Sequence, residues 1–95
     1  MTRIVWSEPA VADLHSIHAY IARDAEVYAD VTVQEIFDAV DRLAAFPFAG
    51  RVVPEVDDEH TREVIVGNYR VIYDIHEEVV RILGVLHGAR LFPKA

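Results

Sequence analysis

A chain of 95 residues with no cysteine and no break in composition is expected to form one domain over 1–95, without a disulfide framework, a thiolate nucleophile or a zinc ribbon. Sixteen acids against nine bases give a net charge of −7, the wrong sign for a protein that binds nucleic acid by neutralising phosphates, so no direct nucleic-acid binding is expected in isolation. The first apolar run is too short for a signal peptide and no stretch reaches the roughly 18 apolar residues of a membrane span, which predicts a cytoplasmic protein with no membrane contact.

“RIVW” at 3–6 reads as a short strand, rich in β-branched and aromatic residues. Ser7 is placed to cap a helix, and Pro9 is tolerated in its first turn, where a backbone N–H would have had no partner. Ala10, Leu14, Ile17 and Ile21 then form one apolar stripe, which predicts a first helix to about Asp24. A second helix over about 26–45 places Ala29, Val33, Ile36, Phe37, Val40, Leu43 and Ala44 on one side, with Asp30, Gln34, Glu35, Asp38, Asp41 and Arg42 on the other. The short link at 25–27 makes the two a hairpin whose shared apolar side needs a third surface, for which a sheet is the candidate.

“FPFAGRVVPEVDDEH” combines prolines, a glycine and an acidic run, and reads as a connector with one short strand at 51–53, stopped by Pro54. From there the period is two. “REVIV”, “YRVIYDI” and “EVVRILGVLH” form a meander, joined by Gly67 and Asn68, a type II′ turn signal, and by the polar “HEE” at 76–78. The order is β-α-α followed by a connector and a three-stranded meander.

A two-residue turn sets Val66 opposite Tyr69, Ile65 opposite Arg70 and Val64 opposite Val71. One face then carries Val64, Val66, Tyr69, Val71, Tyr73 and Ile75, joined by Val80, Ile82, Gly84 and Leu86 for a last loop of even length; it is the face for the helices. The other carries Glu63, Ile65, Arg70, Ile72 and Asp74, with Val79, Arg81, Leu83, Val85 and His87. This mixture of arginine and apolar groups is the composition of a surface that something covers, which makes Ile65, Arg70, Ile72, Arg81, Leu83, Val85 and His87 partner-binding candidates.

Arg70 has two readings: an ion pair, diagonally with Glu63 or along its strand with Asp74, or an anchor for a carboxylate or phosphate. Arg81 has the same two. No acid or serine is spaced to orient His87 as a catalyst, so it reads as a hydrogen-bonded histidine. His15 and His18 lie one turn apart and would need further ligands from elsewhere to hold a metal, so neither a metal nor another cofactor is expected. Glycine-rich phosphate loops, HExxH and GxSxG are absent from the sequence, which removes several common enzyme classes.

“LAAFPFAGRVVPE”, “REVIVGNYRVIYDI” and “ILGVLHGAR”, in this order after a strand and two helices, resemble the RelE/ParE superfamily of toxins from type II toxin–antitoxin modules over nearly the whole chain. The FP-x-x-GR-x-VPE connector and “VLHGAR” look more like the ParE branch. The resemblance implies an α+β fold, β-α-α-β-β-β, with the helical hairpin on one face of an antiparallel sheet. It also implies a cognate antitoxin, ParD-like or similar, whose C-terminal segment folds over the mixed face, the helices and the sheet edge. ParE-like toxins inhibit DNA gyrase by association and have no demonstrated catalytic site, which would make Arg62, Arg70, His87 and Arg90 contact or framework residues. RelE-like toxins are ribosome-dependent mRNA endonucleases, in which Arg70 and Arg90 would be catalytic. The lysines of that branch have no counterpart in the acidic connector, and “LFPKA” replaces the tyrosine or histidine expected after Arg90. A non-toxic relative kept as an antitoxin-binding module is a further alternative.

Overall fold

In chain order the elements are β1 (Arg3–Trp6), α1 (Glu8–Ala22), α2 (Glu26–Arg42), β2 (Arg51–Val52), β3 (Thr61–Val66), β4 (Tyr69–His76) and β5 (Val79–His87). They come from a computed structural model that describes residues 2–88, 90 and 92; Lys94, the only lysine, lies outside the described residues. Ser7 caps α1, its Oγ accepting from the Ala10 N–H at 3.2 Å, with Pro9 in the first turn. α2 starts after Ala25 without a side-chain cap, so packing rather than capping holds it in place. No described helix is long and apolar enough to cross a membrane.

The stripe that α2 buries runs through Ala29, Thr32, Ile36, Ala39 and Val40. Phe37, assigned by periodicity to the same side, falls at the border of that stripe and is 38% exposed. It meets Trp6 of β1 edge-on, ring centroids 5.3 Å apart. The main core brings Ala10 and Leu14 of α1 and Ile36, Val40 and Leu43 of the α2 side onto Val71, Tyr73, Ile75, Val80, Ile82 and Val85 of the sheet.

The sheet has the order β1-β5-β4-β3-β2. Its β2–β3, β3–β4 and β4–β5 pairs are antiparallel, whereas β1 lies parallel to β5, from Arg3↔Val79 to Trp6↔Ile82. The sheet is therefore mixed rather than antiparallel throughout. Tight turns impose antiparallel pairing on neighbours in sequence, but β1 and β5 are joined through everything between them and are free to run the same way. At the β3–β4 turn Gly67 has φ +57° while Asn68 keeps negative φ, the type II′ pattern.

The expected alternation holds through Ile75↔Val80 and Tyr73↔Ile82. Ile72 then pairs with Gly84, which leaves Leu83 as an extra residue in β5. Side chains alternate with a period of two, so one added residue exchanges the faces of everything that follows. Val85 pairs with Val71 and His87 with Tyr69, while Leu86 stands opposite Arg70. Val85 and His87 thus lie on the helical side, not on the face of Arg70 as alternation predicts, and Val85 belongs to the core. A glycine inside a strand pattern is a bulge signal, and Gly84 is that glycine.

This register ranks two truncations. Val85→Ala removes a buried side chain and should cost about 2 kcal/mol in urea unfolding, whereas Ile65→Ala at an exposed position should stay within about 0.5 kcal/mol. The reverse order would restore a strand without the bulge.

Candidate functional site

The β3–β4 register sets Glu63 opposite Ile72 and diagonal to Arg70, all on the face turned away from the core cluster. Arg70 is 5% exposed there and Ile72 and Glu63 are at most 1% exposed. The Arg70 Nε–H donates to Glu63 Oε1 at 2.6 Å, and Nη1 and Nη2 donate to Glu55 Oε2 and Oε1 at 2.8 and 3.0 Å. Nη1 also donates to the Arg90 carbonyl at 2.7 Å. The other oxygen of Glu63 accepts from Arg51 Nε at 2.5 Å, and the Phe92 N–H donates to Glu55 Oε2 at 2.8 Å. Two carboxylates and two guanidinium groups thus balance one another, as burial of charge requires.

The electrostatics follow from these bonds. The Arg70 guanidinium, and after it the Phe92 amide, hold the Glu55 carboxyl at about 2 against an ordinary 4.5. Glu55, in turn, is the main reason that the Arg70 pKa rises further above its usual range. Of the two readings open for Arg70, the ion pair with Glu63 is present; Asp74 instead accepts from Arg81 at 2.8 Å in an exposed pair, a type that contributes little to stability.

The connector is the clasp that makes this burial possible. The Tyr73 hydroxyl donates to the Pro47 carbonyl at 2.8 Å and accepts from the Gly50 N–H at 3.0 Å. A Cβ at residue 50 would lie 2.4 Å from the Glu63 carbonyl oxygen and 2.7 Å from the Tyr73 hydroxyl, so only glycine lets the chain pass. Arg62 donates to the Gly50 and Phe48 carbonyls at 2.9 and 3.3 Å and to that of Glu59 at 2.8 Å, and its guanidinium lies over the Phe48 ring at 5.0 Å. In FP-x-x-GR-x-VPE, then, the proline carbonyl, the glycine, the arginine and the final glutamate all bind Tyr73, Glu63 or Arg70. Periodicity gave no reason to single out Glu55 or Tyr73; the signal was the spacing of Gly50, Arg51 and Glu55 in a stretch that is otherwise apolar.

The expected contact residues divide by exposure. Ile65, Arg81, His87 and Arg90 are exposed and Leu83 is half-buried, whereas Arg70, Ile72 and Val85 are buried. His87 and Arg90 line a cavity of about 560 Å³ on the helical side, with Asp13, Tyr20, Asn68 and Tyr69. The Tyr69 and His87 rings meet edge-on at 5.9 Å, and burial, then the nearby Tyr20 and Tyr28, pushes the Tyr69 phenol up. Arg70 does not line this cavity; it reaches Arg90 only at the carbonyl. Between the helices His18 Nε2 lies 2.7 Å from Asp30 Oδ1, and among the described residues no group of three or more His, Cys, Asp or Glu is placed to hold a metal.

Because the folded Glu55 carboxyl titrates at about 2 rather than 4.5, the stability it contributes is complete above the ordinary value and is lost as pH falls toward the folded one. Glu55→Gln should therefore melt below the wild type at neutral pH, and the gap should close between pH 4.5 and about 2. A gap that stays constant across that window would show Glu55 unpaired.

The chain matches the family described as “ParE toxin of type II toxin-antitoxin system, parDE” over residues 4–92. Over 91 residues it is 32% identical to “Toxin RelE2” of Caulobacter vibrioides, covering 96% of this chain and 100% of that one. A chain of the chromosomal ParDE system from P. aeruginosa superposes with a TM-score of 0.78 at 20% identity, covering 92% of this chain and 96% of that one. For a chain of the RelBE2 toxin–antitoxin complex from Mycobacterium tuberculosis the TM-score is 0.59 at 22% identity, over 90% and 96% of the two chains. The clasped arginine, the two helices and the five-stranded sheet are therefore those of a member of the ParE toxin family of type II toxin–antitoxin systems, within the RelE/ParE superfamily.

Proposed function

We propose that this toxin acts in the cytoplasm as a ParE-like inhibitor of DNA gyrase, by association and without a nuclease site of its own, and that a cognate ParD-like antitoxin neutralises it. One observation carries the choice of target: the Arg70 guanidinium is buried and bound to Glu63, Glu55 and the Arg90 carbonyl. A ribonuclease that cleaves by attack of a 2′-hydroxyl needs a cation free to meet the charge growing on the phosphoryl oxygens, together with a base and an acid. Here that cation is committed, and the connector beside it supplies Glu55, Asp57, Asp58 and Glu59, which repel a phosphate.

The antitoxin reading draws on family membership and on the shape of two surfaces. β2 accompanies β3 only as far as Arg51↔Glu63, so the outer edge of 64–66 has no strand beside it among the described residues. A groove there is lined by Asp38 and Arg42 of α2 and by Val64 and Ile65. An apolar groove on the helical side is lined by Trp6, Val11, Leu14, Val33 and Phe37. An extended segment suits the first and an amphipathic helix the second. The relative named RelE2 keeps the ribosome-dependent nuclease as the second reading, with the exposed Arg90 as its remaining cation.

Purified toxin added to gyrase and relaxed plasmid should block supercoiling and accumulate cleaved DNA, with antitoxin reversing both. Primer extension on translated mRNA should show no codon-phased cuts. Phased cuts, with supercoiling untouched, would transfer the protein to the nuclease branch.

A further inference from the structure

β1 runs beside β5 only as far as Trp6↔Ile82. Past that point no strand lies beside the outer edge of β5 among the described residues, and unpaired backbone groups next to a core are costly. Two side chains from the start of α1 take the place of the missing strand. The Ser7 hydroxyl donates to the Leu83 carbonyl at 3.3 Å, and Asp13 Oδ2 accepts from the Val85 N–H at 2.9 Å. The bonds straddle the bulge: Leu83 is the extra residue, and Val85 is the first core residue of the half of β5 whose faces are exchanged. Gly84 lies between them, where a Cβ would come within 3.2 Å of Asp13 Oδ2.

Burial alone discriminates weakly between the two possible phases of this segment. With the bulge, Val85 and His87 face the helices; without it, Gly84 and Leu86 would do so, and each choice offers the core one aliphatic side chain. Of the two side-chain bonds to this edge, the shorter and charge-assisted one, from the Val85 amide to Asp13, separates the phases most strongly.

We propose that Asp13 is a positioning residue that locks the end of β5 in its bulged phase and thereby decides that His87 and Arg90 are presented on the helical side of the sheet. Which side of the toxin these residues offer is independent of whether the partner is gyrase or the ribosome.

Amide hydrogen exchange and ring contacts, measured by NMR on the full chain, test it without a target assay. In Asp13→Ala the Val85 amide should exchange about tenfold faster or more relative to the central-strand amides of Val71 and Tyr73, and the Tyr69–His87 ring contact should be lost. Asp13→Asn, whose side-chain oxygen can accept the same bond, should restore the contact and most of the protection. Where Asp13→Ala does not fold, Asp13→Ser, too short to reach the amide, takes its place. Equal behaviour of the short and amide variants, or a short variant in which Val85 stays protected with the ring contact intact, would overturn the proposal.

Discussion

A guanidinium group buried on the reverse of a sheet is tolerable only if its charge is matched and its N–H groups are bonded, and that requirement organises this molecule around Arg70. Glu63 meets it from the neighbouring strand, but Glu63 is itself buried and has a second oxygen to satisfy, which Arg51 takes. Glu55 closes the other side of the guanidinium and fixes the Phe92 amide. To bring Arg51 and Glu55 into reach, the connector must pass close over β3 and β4. Gly50 and the Tyr73 hydroxyl supply that approach. The buried charges depend on one another: without Arg70, Glu63 keeps only the exposed Arg51 as a partner, and without Glu63, Arg70 keeps only Glu55.

This arrangement also shapes what the toxin offers to other molecules. The arginine that a nuclease would aim at a phosphate is folded into the scaffold, and its remaining reach goes to the Arg90 carbonyl. Arg90 and His87 are left at the open end of the sheet, beside Tyr20 and Tyr69, while the groove at the edge of β3 mixes charged and apolar side chains and the groove along the helical hairpin presents apolar surface. These surfaces and the net charge of −7 are what the proposed binding to protein rather than to bare nucleic acid draws on.

Most of the architecture was legible because its signals are local. Ser7 and Pro9 mark a helix start, α1 repeats at helical spacing, Gly67 sets a turn, and β3 and β4 alternate as paired strands do. What was not legible depends on contacts between distant residues. The parallel pairing of β1 with β5 has no turn to announce it, and the bulge at Leu83 is held by Ser7 and Asp13 from the other end of the chain. That one extra residue moved Val85 and His87 to the opposite side from Arg70, although alternation placed Val80 and Ile82 correctly. The diagonal of Arg70 with Glu63 could be read from the strand register; the second carboxylate, Glu55, is marked only by its spacing from Gly50 and Arg51, since a connector has no period from which to assign a facing partner.

Arg70 and Glu63 act as one buried unit, and a double-mutant cycle tests this most directly. Stabilities of the wild type, Arg70→Met, Glu63→Leu and the double variant, from urea unfolding, should give a coupling energy of about 1.5–3 kcal/mol, with the double variant no less stable than the worse of the two single ones. Effects that add to within about 0.5 kcal/mol would mean that the two side chains do not depend on each other, and the scaffold role assigned to Arg70 would be wrong.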